Sequence, residues 1–243
     1  MCPHYIMLYI ILYVLLFIFL FFQPRKRFPQ VKCEHNFIRL GRDNDGGYIL
    51  LDNKFDSSVI FGYGVNDDCS FENDITERFG LKGYIFDHTI ENPPPNMNDR
   101  ITFVKEGISH QNDDLLKTLQ YHMDKYAPGN GNIILKIDVE GAEWKSLENA
   151  DLSRVSQLII EFHDMHEADW DLIDKLNNEF YLVNIHGNNY GGYITLDDNS
   201  FPRVIECTWV RKDLIKEPID HPEFNRSNHP CKRDSEEIKI PFI

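Results

Sequence analysis

The chain has 243 residues, which suits one domain with at most an appendage, and its 42% hydrophobic and 13% aromatic content is enough for a sizeable core. Lys+Arg 25 against Asp+Glu 39 leaves a formal charge of -14, a field that excludes a general nucleic-acid binder. The five Cys show neither a CxxC pair nor a Cys/His ligand spacing, which excludes a disulfide-dense miniprotein and a zinc finger.

Tyr5 to Phe22 reads YIMLYIILYVLLFIFLFF, without a charge, Gly or Pro, and Arg25-Lys26-Arg27 follows at once. That run is long enough to span a bilayer. A signal peptide would end in small residues and a core helix would show a polar face; this segment does neither. Residues 1–27 are therefore expected to be a single-pass membrane anchor with a basic flank. The positive-inside rule places the body in the cytosol, whereas the sequon Asn225-Arg226-Ser227 has meaning only in a lumen. The side stays open, and an endomembrane address accommodates both. One domain is expected over residues 28–215, and the Pro- and charge-rich residues 216–243 read as a loosely packed extension without chemistry.

Within the domain, Val59-Ile60-Phe61 predicts a strand that runs into Gly62-Tyr63-Gly64. Phe71, Ile75 and Phe79 then predict a helix stopped by Gly80. Gly83 to Phe86 and Ile101 to Val104 predict strands ending at Asp87 and near Glu106-Gly107, and Asp113 to Tyr126 predicts a helix before Pro128-Gly129. Ile133 to Ile137 runs into Asp138, and Leu158 to Ile160 into Glu161-Phe162-His163, as buried strands do. A helix at Trp170, Ile173 and Leu176 precedes strands at Phe180 to Ile185 and Val204 to Val210. Strands alternating with helices imply a parallel α/β sheet whose ligand lies beyond the strands' carboxyl ends. The echo of Gly46-Gly47-Tyr48-Ile49-Leu50-Leu51-Asp52 in Gly191-Gly192-Tyr193-Ile194-Thr195-Leu196-Asp197 is a single pair, so it marks two strands starting from Gly turns rather than a solenoid.

Those carboxyl ends hold the candidate chemistry. Gly62-x-Gly64 between strand and helix lets backbone approach a ligand with free N–H groups, although the third Gly of a dinucleotide fingerprint is replaced by Asp67. Asp87, at the end of the next strand, suits ribose hydroxyls, and Asn66-Asp67-Asp68 suits a cationic ligand better than a phosphate. Asp138 and Glu140 are candidates to orient a substrate; Glu143 reads as a helix-dipole acid. His163, beside several carboxylates, is the candidate general base, with Glu161 as its orienter; its alternative is to satisfy a buried carboxylate. No metal ligand is assigned.

Asp45-Gly46-Gly47-Tyr48, Phe61-Gly62-Tyr63-Gly64 with Asp67 and Ser70-Phe71, Phe86-Asp87-x-Thr89, Lys136 to Glu143, Glu161-Phe162-His163 and His186-Gly187-Asn188-Asn189 together resemble FkbM-type, S-adenosylmethionine-dependent methyltransferases. The Ile-Asp-Val-Glu-Gly-Ala-Glu string is the most specific of these pieces. The resemblance implies a Rossmann-like, seven-stranded class I methyltransferase sheet behind the transmembrane helix. It also implies S-adenosylmethionine as cofactor, with Gly62 and Gly64 at its methionine part, Asp87 at its ribose and Gly107-Ile108 near adenine. The sequence departs from relatives at His88, where Pro is usual. The expected reaction is O-methylation of a glycan, lipid or related membrane-associated acceptor. Two alternatives are an anchored glycosyltransferase using Asp138-Val139-Glu140 as a DxD-like metal site, and a noncatalytic binding module.

Overall fold

A computed structural model describes residues 27–196, 199–220 and 228–240. Among them no helix is long and apolar enough to cross a membrane; the expected anchor at Tyr5 to Phe22 and the Asn225 sequon lie outside the described residues.

In chain order the elements are β1 (Val31–Lys32), β2 (Phe37–Gly41), β3 (Gly47–Leu51), β4 (Val59–Tyr63), α1 (Ser70–Phe79), β5 (Lys82–Phe86), β6 (Ile101–Val104), β7 (Gly107–Ile108), β8 (Leu116–Lys117), α2 (Leu119–Tyr126), β9 (Ile133–Ile137), α3 (Glu143–Leu147), β10 (Val155–Phe162), α4 (Trp170–Glu179), β11 (Phe180–Gly187), β12 (Tyr193–Leu196), β13 (Asn199–Pro202), β14 (Ile205–Arg211) and β15 (Ile219–Asp220). A seven-stranded sheet in the order β11-β14-β10-β9-β4-β5-β6 forms the centre. The central strands β4, β9 and β10 are buried along their whole lengths, which explains their near-continuous apolar sequences.

The sheet differs from the all-parallel expectation in one strand: β14 pairs antiparallel with both β10 and β11. A parallel return would need a crossover of a dozen or more residues, usually a helix. Between β11 and β14 the chain supplies only the β12–β13 hairpin, so it re-enters the sheet from the end it left. The helix expected over Asp113 to Tyr126 is also shorter. Asp113 folds its own turn by accepting the N–H groups of Leu115 and Leu116, β8 pairs with β7, and Thr118 caps α2 by accepting the N–H of Tyr121.

Side-chain alternation divides the core. Phe61, Leu135, Leu158 and Ile160 face a large cluster closed by Leu119 and Met123 of α2, Leu147 of α3 and Ile173 and Leu176 of α4. Ile60, Ile134 and Ile159 face the other way, onto Phe71 and Ile75 of α1 and Tyr48 and Leu50 of β3. The β2–β3 hairpin, not expected as a unit from the sequence, thus roofs the second face. Residues 228–240 are not loosely packed either. Cys231, Ile238 and Ile240 are buried, Ile238 bridges to Gly187, and the Asn44 side chain donates to the carbonyl of Pro230.

Two glycines give opposite expectations. Gly64 has φ +73°, and a Cβ there would lie 1.6 Å from the carbonyl oxygen of Asp138. Gly80 has φ +67° at the C-cap of α1, with nothing within 4 Å. Gly80→Ala is expected to cost about 1 kcal/mol for the left-handed backbone alone, whereas Gly64→Ala must also move backbone and is expected to exceed about 4 kcal/mol. Denaturant midpoints of the two variants check this, and equal losses would refute it.

Candidate active site

Beyond the carboxyl ends of β4, β5 and β9 lies a cleft of ≈ 650 Å³. It is lined by Gly64, the Asn66 to Asp68 loop, Glu72, Asp87 to Thr89, Gly107, Ile108, Asp138 and Glu140, among others. Of the expected cofactor residues, Gly64, Asp87, Gly107 and Ile108 therefore line one cleft. Gly62 does not line it. A Cβ on Gly62 would lie 2.4 Å from Glu72 Oε1, so its role is to leave room for that buried carboxylate. The free N–H groups expected of the glycine turn are also corrected at Gly64, whose N–H donates to the carbonyl of Phe86.

Glu72, on α1, is buried, and its Oε1 has no hydrogen-bond partner among the described residues. Burial pushes its carboxyl above the usual range against the pull of Lys136. An orphaned acceptor in a cleft wall is a site for a cation or a donor. Asp87 behaves oppositely. Burial alone would raise its pKa, but the N–H and hydroxyl of Thr89, at 2.8 and 2.6 Å, and the N–H of Asn66, at 2.9 Å, outweigh it and hold the carboxyl low. Asp87 therefore stays an acceptor. Gly107 packs under His88, where a Cβ would lie 2.5 Å from Nδ1, so the departure at His88 is accommodated by a glycine two strands' ends away.

At the opposite end, Lys136 is a buried cation in an otherwise apolar strand. Its ammonium donates to the carbonyl of Gly64 at 3.2 Å and lies 3.5 Å from Asp138 Oδ2, which also accepts the Tyr48 hydroxyl at 2.9 Å. Burial would lower the Lys136 pKa, but Asp138, Glu72 and Glu161 outweigh it and raise it. Cross-strand register extends the polar row: Gly62 faces Lys136, and farther along Glu161 faces Glu206, which faces His186. Glu161 is pushed well above the usual carboxylate range by burial and by Asp138, Glu206 and Asp45, while Asn188 donates to its Oε1 at 2.7 Å.

His163 stands just behind the cleft wall, its Nε2 3.4 Å from Glu140 Oε2 and 3.7 Å from Glu161 Oε1. Its orienter is not Glu161 but Glu143: Nδ1 lies 2.7 Å from Glu143 Oε1, which also accepts the N–H groups of Val139 and Gly141. Glu143 is fully buried, so it is more than a helix-dipole acid. Burial alone would lower the His163 pKa, but the Glu143 bond and the charges of Glu143, Asp138 and Glu140 outweigh it and raise it. Glu140 itself is turned outward, at φ +57° with its side chain 88% exposed. Asp138 and Glu140 are thus split between a lysine and solvent, not paired as a DxD-like metal clamp.

A family model for the methyltransferase FkbM domain matches residues 17–194, most of the chain, which therefore belongs to the FkbM methyltransferase family. No curated protein matches it. Among solved structures, the chain is similar to a Shewanella sp. PV-4 protein described as a riboflavin biosynthesis protein. That likeness has 13% identity over 64% of this chain and 75% of that one, with a TM-score of 0.25. The family implies use of S-adenosylmethionine, and the cleft fits a ligand carrying a sulfonium and an ammonium: Glu72 offers an unmatched carboxylate oxygen, Asp87 a permanent acceptor, and Phe86 and Ile108 apolar surface.

Sequence reasoning missed Tyr48, Glu72 and Lys136 as site residues. For Lys136 a signal existed: it is a charge at an inward position of a strand otherwise buried. Lys136→Met should leave Asp138, Glu72 and Glu161 facing one another and cost about 3–5 kcal/mol. Adding Asp138→Asn should restore part of that, and chemical denaturation of the two variants measures the difference.

Proposed function

We propose that the chain is an S-adenosylmethionine-dependent O-methyltransferase acting on a hydroxyl of a glycan, lipid or related membrane-associated acceptor, held at an endomembrane by residues 1–27. What carries this reading is a cleft lined by Gly64, Asp87 and the buried Glu72, whose Oε1 has no hydrogen-bond partner among the described residues, in a chain of the FkbM family.

Bound S-adenosylmethionine supplies an electrophilic methyl group on a sulfonium whose departure as a thioether needs no proton. Glu72 would hold the cationic amino-acid end and Asp87 would accept from the ribose hydroxyls, with Gly107 and Ile108 available to the base. The acceptor hydroxyl is the poor nucleophile, so help belongs there. With its Nδ1–H donating a hydrogen bond to Glu143, His163 presents the Nε2 lone pair on the side of Glu140 and Asp138. That nitrogen removes the hydroxyl proton as the new O–C bond forms, while Asp138 and Glu140 orient the acceptor. Tyr48 and Lys136 hold Asp138 in place from beneath.

Asp87→Ala should weaken cofactor binding by about 1.5–3 kcal/mol, roughly ten- to hundredfold, in a calorimetric titration; undiminished binding would refute the assignment. His163→Ala should keep cofactor affinity and lose about 10²–10⁴ in turnover. A base works only unprotonated, so turnover should rise as pH climbs through the elevated His163 pKa. Glu143→Gln removes the charge that elevates it and should move that rise to lower pH. A pH–rate profile indifferent to Glu143→Gln would remove His163 as base.

A further inference from the structure

At the far end of the polar row, three side chains from three separate parts of the chain converge: His186 of β11, Glu206 of β14 and Cys231 of the C-terminal segment. All are buried, and their ligating atoms lie within 4.8 Å of one another. His186 Nδ1 is 2.8 Å from Glu206 Oε2, and the Cys231 thiol donates to Glu206 Oε1 at 3.0 Å. The placement is built rather than incidental. His186 and Glu206 are direct cross-strand partners, the N–H of Asp45 donates to the carbonyl of Cys231, and the N–H of Lys232 donates to the Asn189 side chain.

The chemistry of the set is what separates it from the other carboxylate groups of the molecule. Asp138, Glu161 and His163 are also within 4.8 Å of one another, but the Lys136 ammonium already sits 3.5 Å from Asp138. Among the described residues no Lys or Arg lies within ion-pair distance of Glu206 or Glu237, each of which pairs with His186, and the Arg39 guanidinium acts on Glu206 and Cys231 only from farther off. One nitrogen, one oxygen and one sulfur donor form the borderline-soft set that zinc takes. With bonds of about 2.0–2.3 Å, tetrahedral zinc holds its ligand atoms roughly 3.3–3.8 Å apart. His186 Nδ1 meets Glu206 Oε2 at 2.8 Å and Cys231 Sγ meets Oε1 at 3.0 Å, and with one ligand atom from each residue the set lies within 4.8 Å, so shifts of about 1 Å bring it to that spacing.

Two further observations point the same way. His186 Nε2, the nitrogen turned away from Glu206, is 3.0 Å from Glu237 Oε2, the carboxylate–imidazole contact that orients a zinc-bound histidine. A surface hollow of ≈ 440 Å³, lined by Asp43, Asp45 and Cys231 with Arg42 and Arg233 among others, borders the set on the solvent side and gives an ion a way in.

We propose that His186 Nδ1, Glu206 and Cys231 form a zinc site, with Glu237 positioning the imidazole. Binding displaces the thiol proton and any proton shared between His186 and Glu206, both released to solvent, and ties residues 228–240 to β11 and β14. The site is independent of the methyl-transfer reading, since none of its ligands lines the cofactor cleft.

The test uses the full-length chain purified in detergent, stripped with a chelator and titrated with Co²⁺ as the spectroscopic probe. The expected result is a thiolate-to-cobalt charge-transfer band that saturates at one ion per chain and is displaced by Zn²⁺. Cys33→Ser should keep the band and Cys231→Ser should lose it, while Glu237→Gln should weaken the affinity about 10–100-fold. Zinc should raise the melting temperature of the stripped wild type and leave that of Cys231→Ser unmoved. No charge-transfer band in the wild type, or a band that survives Cys231→Ser, overturns the proposal. If Cys231→Ser does not fold, the wild-type spectrum and the Glu237→Gln affinity decide it.

Discussion

The Lys136 ammonium is the point on which the site is built. A buried cation is costly unless it is paired and hydrogen-bonded, and this one is both: two main-chain carbonyls at the end of β4, the Asp138 carboxylate and the face of the Tyr48 ring surround it. In return it fixes three things. It holds the Tyr63-Gly64 turn, it stands against the Asp138 side chain, and through Tyr48 it ties the β2–β3 hairpin to the sheet.

The same economy of charge explains why the acids can be so dense. Along one face, the sheet places Glu161, Glu206 and His186 on adjacent strands at matched register, and Glu72 enters from α1 through the space left by Gly62. Burial first, and the neighbouring carboxylates after it, raise the proton affinity of Glu72, Glu161 and Asp45. Such a field repels phosphate and welcomes positive ligands, in line with the family's sulfonium cofactor.

Most strands were legible because buried parallel strands are short apolar runs that stop at polar residues, as Ile133 to Ile137 stops at Asp138. The helix α1 was legible from Phe71, Ile75 and Gly80. The antiparallel β14 was not, because Val204 to Val210 carries no mark of direction; only the lack of a helix after β11 sets it. Asp87 could be placed from its strand, and His163 from its neighbours. The partner of His163 could not, since Glu143 reaches it only because the left-handed turn at Glu140 and Gly141 folds α3 back over β10. Tyr48 and Glu72 act across the sheet face, a relation of packing that spacing along the chain does not encode.

The packing of residues 228–240 has a bearing on how the protein is made. Cys231 and Glu237 follow His186 and Glu206 in the chain and so leave the ribosome after them, yet they complete the surroundings of both. Until residues 228–240 are made, the His186–Glu206 pair lacks these two partners and Gly187 lacks the contact of Ile238. A nascent polypeptide stalled before Cys231 holds all seven main strands and still lacks the closing segment.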